Sequence, residues 1–111
     1  MAIHKKGEFP LIDQELADFA KALSHPARIV ILNYLSKKNE CICGEIVDKL
    51  PLAQSTVSQH LKELKSAGLI KGTISGPKTC YCIDSARFKQ LSSNLEKYLQ
   101  GINLSEIEKC C

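Results

Sequence analysis

Hydrophobic and polar positions recur with a helical period along most of this chain. From Ile12 to Leu23 the apolar residues return every three or four positions, which predicts an amphipathic helix with Asp13 as its N-cap. Pro26 suits the first turn of a second helix, because that position needs no backbone N–H. Residues 27–35 are apolar nearly all round, so we expect this second helix at the centre of the fold.

Two further helices are predicted on either side of a tight turn. The third helix is short and ends at Pro51. Its apolar face carries Cys43, Ile46, Val47 and Leu50. The fourth helix is expected to run from Gln54 to Ser66, with Gly68 just beyond its C-terminal end, where a left-handed residue is common. The inward positions of the fourth helix are Val57, Leu61 and Leu64.

After Gly68 the period changes to that of strands. Residues 69–74 and 78–83 flank Ser75-Gly76-Pro77, which predicts a β-hairpin. Asp84 can cap a last helix, and the near-heptad apolar stripe on that helix requires a partner helix. The stripe consists of Phe88, Leu91, Leu95, Tyr98, Leu99 and Ile102. The predicted fold is mainly α with a small β-hairpin, a dimeric winged helix-turn-helix over residues 1–103, followed by a cysteine-containing tail over residues 104–111.

Length and charge narrow the function classes. With 111 residues, the chain fits one domain and has no room for a separate catalytic domain. A net charge of +3 permits nucleic-acid binding without implying it. The chain has no apolar run that fits a signal peptide or a membrane span, so we expect a cytoplasmic protein with no membrane partner.

The outward face of the fourth helix carries the DNA-binding prediction. The second helix of a helix-turn-helix enters the major groove, where glutamine pairs with adenine and serine or threonine contacts several bases. Lysines on the later part of the helix and on the hairpin suit phosphates. The predicted contacts are Gln54, Ser55, Thr56, Ser58, Gln59, His60, Lys62, Lys65, Lys71 and Lys78. For His60 the core is an alternative to DNA. The expected partner is double-stranded operator DNA, and no cofactor is required for binding it.

Three segments resemble one family. Residues 24–29 (Ser-His-Pro-Ala-Arg-Ile), 54–62 (Gln-Ser-Thr-Val-Ser-Gln-His-Leu-Lys) and 67–70 (Ala-Gly-Leu-Ile) resemble the ArsR/SmtB repressors that sense arsenic and metals. The resemblance implies a homodimer joined through its first and last helices, which binds an imperfect palindrome and leaves it when ligand binds. Two features depart from the family: Ala53 replaces a common serine, and the wing lacks the usual arginines.

The six cysteines form three close pairs, which are usable as soft-metal ligands or redox partners. Cys41 and Cys43 resemble the family's Cys-x-Cys box at the start of the third helix, although each lies one residue early. Trivalent arsenic or antimony takes about three thiolates. We therefore expect As(III) or Sb(III) as inducer, with Cys110 or Cys111 completing the metal site by folding back or crossing the dimer.

Other sensing chemistries stay open. Cys80 and Cys82 share one face of a hairpin strand and either form a rival site or lie on the wing surface. Thiol pairs also oxidise to disulfides or polysulfides, with the same loss of DNA affinity. A cadmium, lead or zinc site is a further alternative, and His4 is a candidate ligand for it. Zinc or nickel sensing on the last helix is disfavoured, because residues 87–100 contain no histidine.

Two other function classes compete with a repressor. A small thiol oxidoreductase normally places its cysteine motif in a βαβ unit, and this chain has no parallel-sheet pattern. A protein-interaction module would show no salt-dependent binding to duplex DNA. The sequence therefore predicts a DNA-binding repressor that is not an enzyme.

Overall fold

The computed structural model describes residues 6–37, 42–43, 45–75 and 78–110. A short 3-10 turn at Lys6–Glu8 precedes the first helix. The helices within these ranges are α1 (Leu11–Ala22), α2 (Pro26–Ser36), α3 (Glu45–Lys49), α4 (Gln54–Ser66), α5 (Ser85–Gln100) and α6 (Leu104–Cys110). The strands are β1 (Ile42–Cys43), β2 (Ile70–Ser75) and β3 (Lys78–Ile83). The mainly α fold with a β-hairpin after the fourth helix is confirmed.

The wing is an antiparallel sheet with the strand order β1-β3-β2. The β2–β3 pairing runs from Ile70 opposite Ile83 to Ser75 opposite Lys78, as the hairpin prediction requires. Strand β1 was not predicted, and it pairs Cys43 with Cys80. The placement of Cys43 on the third helix is therefore wrong. The open side of β3 has backbone groups that need hydrogen-bond partners, and the chain pairs with them before α3 begins at Glu45.

The starts of the first two helices differ in how they are capped. Helix α1 begins at Leu11 after an extended Pro10, so the assignment of Asp13 as N-cap is wrong. Asp13 instead lies in the first turn, where its carboxylate meets the positive end of the helix dipole. Helix α2 has Pro26 in its first turn as predicted, and the His25 Nδ1 atom caps it by accepting the Ala27 N–H at 3.0 Å.

The core lies where α1, α2, α4 and the start of α5 meet the sheet. The buried cluster consists of Phe19, Ala22, Ile31, Leu32, Leu35, Ile46, Val57, Leu61, Leu64, Leu69, Ile70 and Leu91. Phe19 of α1 and Phe88 of α5 pack edge to face with ring centroids 5.8 Å apart. Helix α2 is central but not buried all round, because Ile29 is 40% and Val30 47% exposed.

The last two helices continue the chain beyond the core. The Asp84 carboxylate accepts the Arg87 N–H at 3.2 Å, which confirms the predicted cap of α5. The predicted stripe divides along this helix: Leu91 is buried, whereas Tyr98 and Leu99 are 54% and 57% exposed. The segment expected as a tail forms α6 over Leu104–Cys110, and Leu104 and Ile107 on this helix are exposed.

Candidate nucleic-acid interface

Helix α4 presents a polar face to solvent and an apolar face to the core. Val57 and Leu64 are fully buried, and Leu61 is 4% exposed, which confirms the predicted inward positions. The exposed residues of the helix are Gln54, Ser55, Thr56, Ser58, Gln59, Lys62, Glu63, Lys65 and Ser66. The apolar side chains thus anchor the helix, and its N-terminal half carries small polar groups that can reach a surface laid against it.

A left-handed glycine connects α4 to the wing. Gly68 has a φ of 82°, follows the C-cap Ala67, and donates its N–H to the Lys65 carbonyl oxygen at 3.0 Å. The Leu69 N–H reaches the Leu64 carbonyl oxygen, also at 3.0 Å, and both of these side chains are fully buried. This pair of hydrogen bonds is a Schellman motif, which confirms the role predicted for Gly68 and fixes the direction in which β2 leaves the helix.

His60 does not belong to the outward face. The sequence grouped it with the DNA contacts but left the core as an alternative, and its exposure of only 7% places it in the core. The sequence spacing indicates this burial, because position 60 lies three residues after Val57 and four before Leu64, within the apolar stripe of α4. A buried imidazole in that position can position α4 through its contacts with neighbouring helices.

The partners of His60 join three helices. The Arg28 Nε atom of α2 donates to His60 Nδ1 at 3.2 Å, and Arg28 Nη1 donates to the Lys21 carbonyl oxygen at the end of α1, also at 3.2 Å. The His25 ring lies 4.4 Å from the His60 ring, centroid to centroid. Sequence reasoning missed Arg28, which positions α4 by linking it to the end of α1 and the start of α2.

The surroundings of His60 favour its neutral form. Burial lowers its pKa below the ordinary value, and the nearby His25 and Arg28 lower it further, against a smaller opposing effect of Glu63. Because Nδ1 accepts a hydrogen bond from Arg28, the neutral ring carries its proton on Nε2. That Nε2 atom is buried and has no hydrogen-bond partner among the described residues.

The two ends of the exposed face of α4 differ in whether their polar side chains already make contacts within the helix. At the N-terminal end, Ala53 occupies the N-cap and supplies no side-chain acceptor to the first turn. Further along, the Gln59 amide donates to the Glu63 carboxylate at 2.8 Å, so an intrahelical contact already occupies that donor. Gln54, Ser55, Thr56 and Ser58 therefore form the part of the helix best suited to a groove.

Lysines extend the polar surface from α4 to the wing. Lys62 and Lys65 are exposed on the later turns of the helix, and Lys71 is exposed on β2. Lys78 opens β3, and its side chain lies outside the described residues. Cationic groups on both helix and wing match the spread of phosphates along a duplex.

The structure separates the cysteines into different environments. Cys80 is buried and disulfide-bonded, and Cys82 is a half-buried thiol on the same strand. Cys43 is described only by its backbone in β1, and Cys110 only as the last residue of α6. Cys41 and Cys111 lie outside the described residues. Within the described part of the chain, no three His, Cys, Asp or Glu residues gather as a metal site would require.

The arrangement of α3, a tight turn, α4 and the hairpin defines a winged helix-turn-helix protein. Residues 25–71 match the family model described as bacterial regulatory protein, arsR family. Among the described helices, none has the length and apolar character needed to cross a membrane.

Individual relatives agree with the family match. An uncharacterized HTH-type transcriptional regulator of Methanocaldococcus jannaschii is 35% identical over 79 residues, covering 70% of this chain and 88% of that protein. The arsenical resistance operon repressor of Staphylococcus xylosus is 30% identical over 83 residues, covering 75% and 79%. A crystal structure of an ArsR family transcriptional regulator superposes with a TM-score of 0.67 at 21% identity, covering 78% of this chain and 93% of the other. This chain belongs to the ArsR family, whose members are DNA-binding transcriptional regulators and not enzymes.

Proposed function

We propose that this protein is an operator-binding repressor that acts as a homodimer and is released from DNA by trivalent arsenic or antimony bound to its cysteine thiolates. The observation that carries the DNA-binding half is the exposed polar face of α4, held outward by Val57, Leu61 and Leu64. In this proposal helix α4 enters the major groove, because it is the second helix of the helix-turn-helix.

The residues divide into two roles. Gln54, Ser55, Thr56 and Ser58 meet base edges, because they occupy the exposed N-terminal half of α4. The cationic residues Lys62, Lys65, Lys71 and Lys78 meet phosphates, and Gln59 contributes through the part of its amide that Glu63 does not occupy. His60 is withdrawn from this set, and it supports the helix from the core.

The homodimer is supported by apolar surface left exposed at the ends of α1 and α5. Leu11 and Ile12 of α1 are exposed, as are Tyr98 and Leu99 of α5. An apolar cavity between these helices is lined by Leu16, Leu95 and Tyr98, among others. Contiguous apolar surface of this kind marks an interface. Two protomers joined there would present their α4 helices to successive major grooves, about 34–36 Å apart.

The inducer is proposed from thiol chemistry and from a relative. The Staphylococcus xylosus relative is named as a repressor of an arsenical resistance operon. Soft thiolate ligands select soft ions, and Cys41 and Cys43 supply two of the about three thiolates that such an ion takes. Cys110 or Cys111 supplies the third, since the two adjacent cysteines at the end of α6 and directly after it have no other assigned role.

A binding titration tests the proposal. The reduced protein is titrated into a fluorescein-labelled duplex taken from upstream of its own gene, and anisotropy gives the affinity. Gln54→Ala should weaken binding by about 5- to 150-fold, the equivalent of about 1–3 kcal/mol for a lost bidentate base contact. Ser58→Ala should weaken it too, whereas Ser66→Ala is the matched control, because this serine lies two turns further along the same exposed helix.

Unchanged affinity in both Gln54→Ala and Ser58→Ala would refute the assigned helix. For the inducer, arsenite should release the wild-type repressor but leave the Cys41→Ser/Cys43→Ser variant bound. Normal release of that double variant would place the arsenic site elsewhere.

A further inference from the structure

We infer that Cys43 and Cys80 form a reversible dithiol–disulfide pair, oxidised by a hydroperoxide, that links the start of the helix-turn-helix to the wing. The regulatory half of this inference rests on the proposed operator binding. The chemical half, the identity of the paired cysteines, rests only on the strand register and the state of Cys80.

The register makes Cys43 the partner that the fold offers to Cys80. Cys80 is disulfide-bonded, and Cys43 is the residue directly opposite it in the antiparallel β1–β3 pairing. Directly opposed residues in such a pair have Cα atoms about 4.5–5.5 Å apart, within the range of about 4.4–6.8 Å that a disulfide needs. The sequence separates these two cysteines by more than thirty residues, but the sheet makes them neighbours.

Cys80 is buried but lies outside the main cluster of core side chains. Its exposure is 7%, yet the core cluster and the side chains packed on it include its neighbours Tyr81 and Ile83 instead. Because residues alternate across a strand, Cys80 and Cys82 lie on the face of β3 opposite to that pair. Cys80 is therefore buried on the β3 face opposite to the side chains that pack on the main cluster.

The pair connects the wing hairpin to β1, the strand that leads into the helix-turn-helix. Strand β1 ends at Cys43, two residues before α3 begins at Glu45, and β3 is the central strand of the wing. A covalent bond between these strands restricts the movement of the wing relative to α3 and α4. A protein that must adjust both elements to one duplex should bind it more weakly when they are locked together.

The oxidation proceeds in two balanced steps. One thiol attacks the hydroperoxide, so that a sulfur–oxygen bond forms, the O–O bond breaks, and a sulfenic acid and an alcohol (water, for hydrogen peroxide) result. The second thiol then attacks the sulfenic sulfur, forming the disulfide and releasing water. A dithiol reductant returns both sulfurs to thiols by exchange.

Peptide mapping of the full chain identifies the pair. The reduced protein is treated with hydrogen peroxide, alkylated and digested with trypsin, which leaves Cys41 and Cys43 on residues 39–49 and Cys80 and Cys82 on residues 79–87. The two peptides should be recovered as one linked species. That species should disappear in Cys43→Ser and in Cys80→Ser and persist in the matched controls Cys41→Ser and Cys82→Ser. A link that survives either of the first two substitutions overturns the assignment.

Operator affinity tests the regulatory half on the same samples. Oxidation should weaken binding at least about tenfold in the wild type and in Cys82→Ser, with recovery on reduction, and should leave Cys43→Ser and Cys80→Ser unchanged. If the oxidised and reduced wild-type proteins bind the operator with equal affinity, the switch is overturned. It is also overturned if circular dichroism shows that the reduced protein is unfolded, because the disulfide would then be a structural bond that the fold requires. If the folded, reduced protein binds no duplex, the proposed function fails, while the peptide map still decides the pair.

Discussion

The left-handed glycine between α4 and the wing gives the sharpest prediction of stability. Gly68 has a φ of 82°, a conformation that costs a residue with a Cβ about 1–2 kcal/mol. A Cβ built there would lie 3.3 Å from Arg87 Cγ, which can shift by the small distance required. We therefore expect Gly68→Ala to lower the free energy of unfolding by about 1–2 kcal/mol. That is a sizeable share of the about 5–15 kcal/mol typical of a folded domain.

Gly101→Ala is the matched control for this substitution. Gly101 is the C-cap of α5 with a φ of −74°, so alanine fits its backbone, and its Cβ would lie 3.4 Å from the carbonyl oxygens of Lys97 and Tyr98. The control should be neutral or stabilise the protein by up to about 1 kcal/mol, through a less flexible unfolded chain. Urea unfolding followed by circular dichroism, at one fixed protein concentration, measures both variants. If Gly68→Ala proves as stable as Gly101→Ala, the reasoning from the Schellman motif is refuted.

Two further predictions concern α4. Ala53→Ser should raise the free energy of unfolding by about 0.5–1 kcal/mol, because the extended N-cap (φ −62°, ψ 149°) lets a hydroxyl accept an N–H of the first turn; thermal unfolding checks this, and an unchanged or lower midpoint contradicts it. The pKa of His60 is lower in the folded protein than in the unfolded chain, so the unfolded chain binds a proton more readily. Neutral His60 therefore contributes its full stabilisation above pH about 6.5, and this stabilisation is lost as the pH falls through the lower pKa of the folded state. His60→Gln should flatten the loss of stability below that pH in urea titrations, and an equally steep loss in the variant would assign it to other groups.

Local chemistry made much of this fold readable from the sequence. Pro26 in the first turn of α2, Asp84 at the cap of α5 and Gly68 after α4 each act on residues within a few positions, so their roles were predicted correctly. The division of α4 into an apolar and a polar face likewise follows from a period of 3.6 residues. Asp13 shows the limit of such reasoning, since an extended Pro10 serves as the N-cap and α1 begins three residues earlier than predicted.

The tertiary structure decided what depends on residues far apart in sequence. His60 turned inward, where Arg28, thirty-two positions away, donates to its ring. Cys43 lies in strand β1 and not in the predicted helix, because the open edge of β3 needs backbone hydrogen-bond partners. A sequence fixes the period and the caps of its helices through local hydrogen bonds and sterics. Tertiary packing decides which polar side chain becomes buried and which cysteines become neighbours. Both depend on distant segments that pack together and satisfy one another's hydrogen bonds.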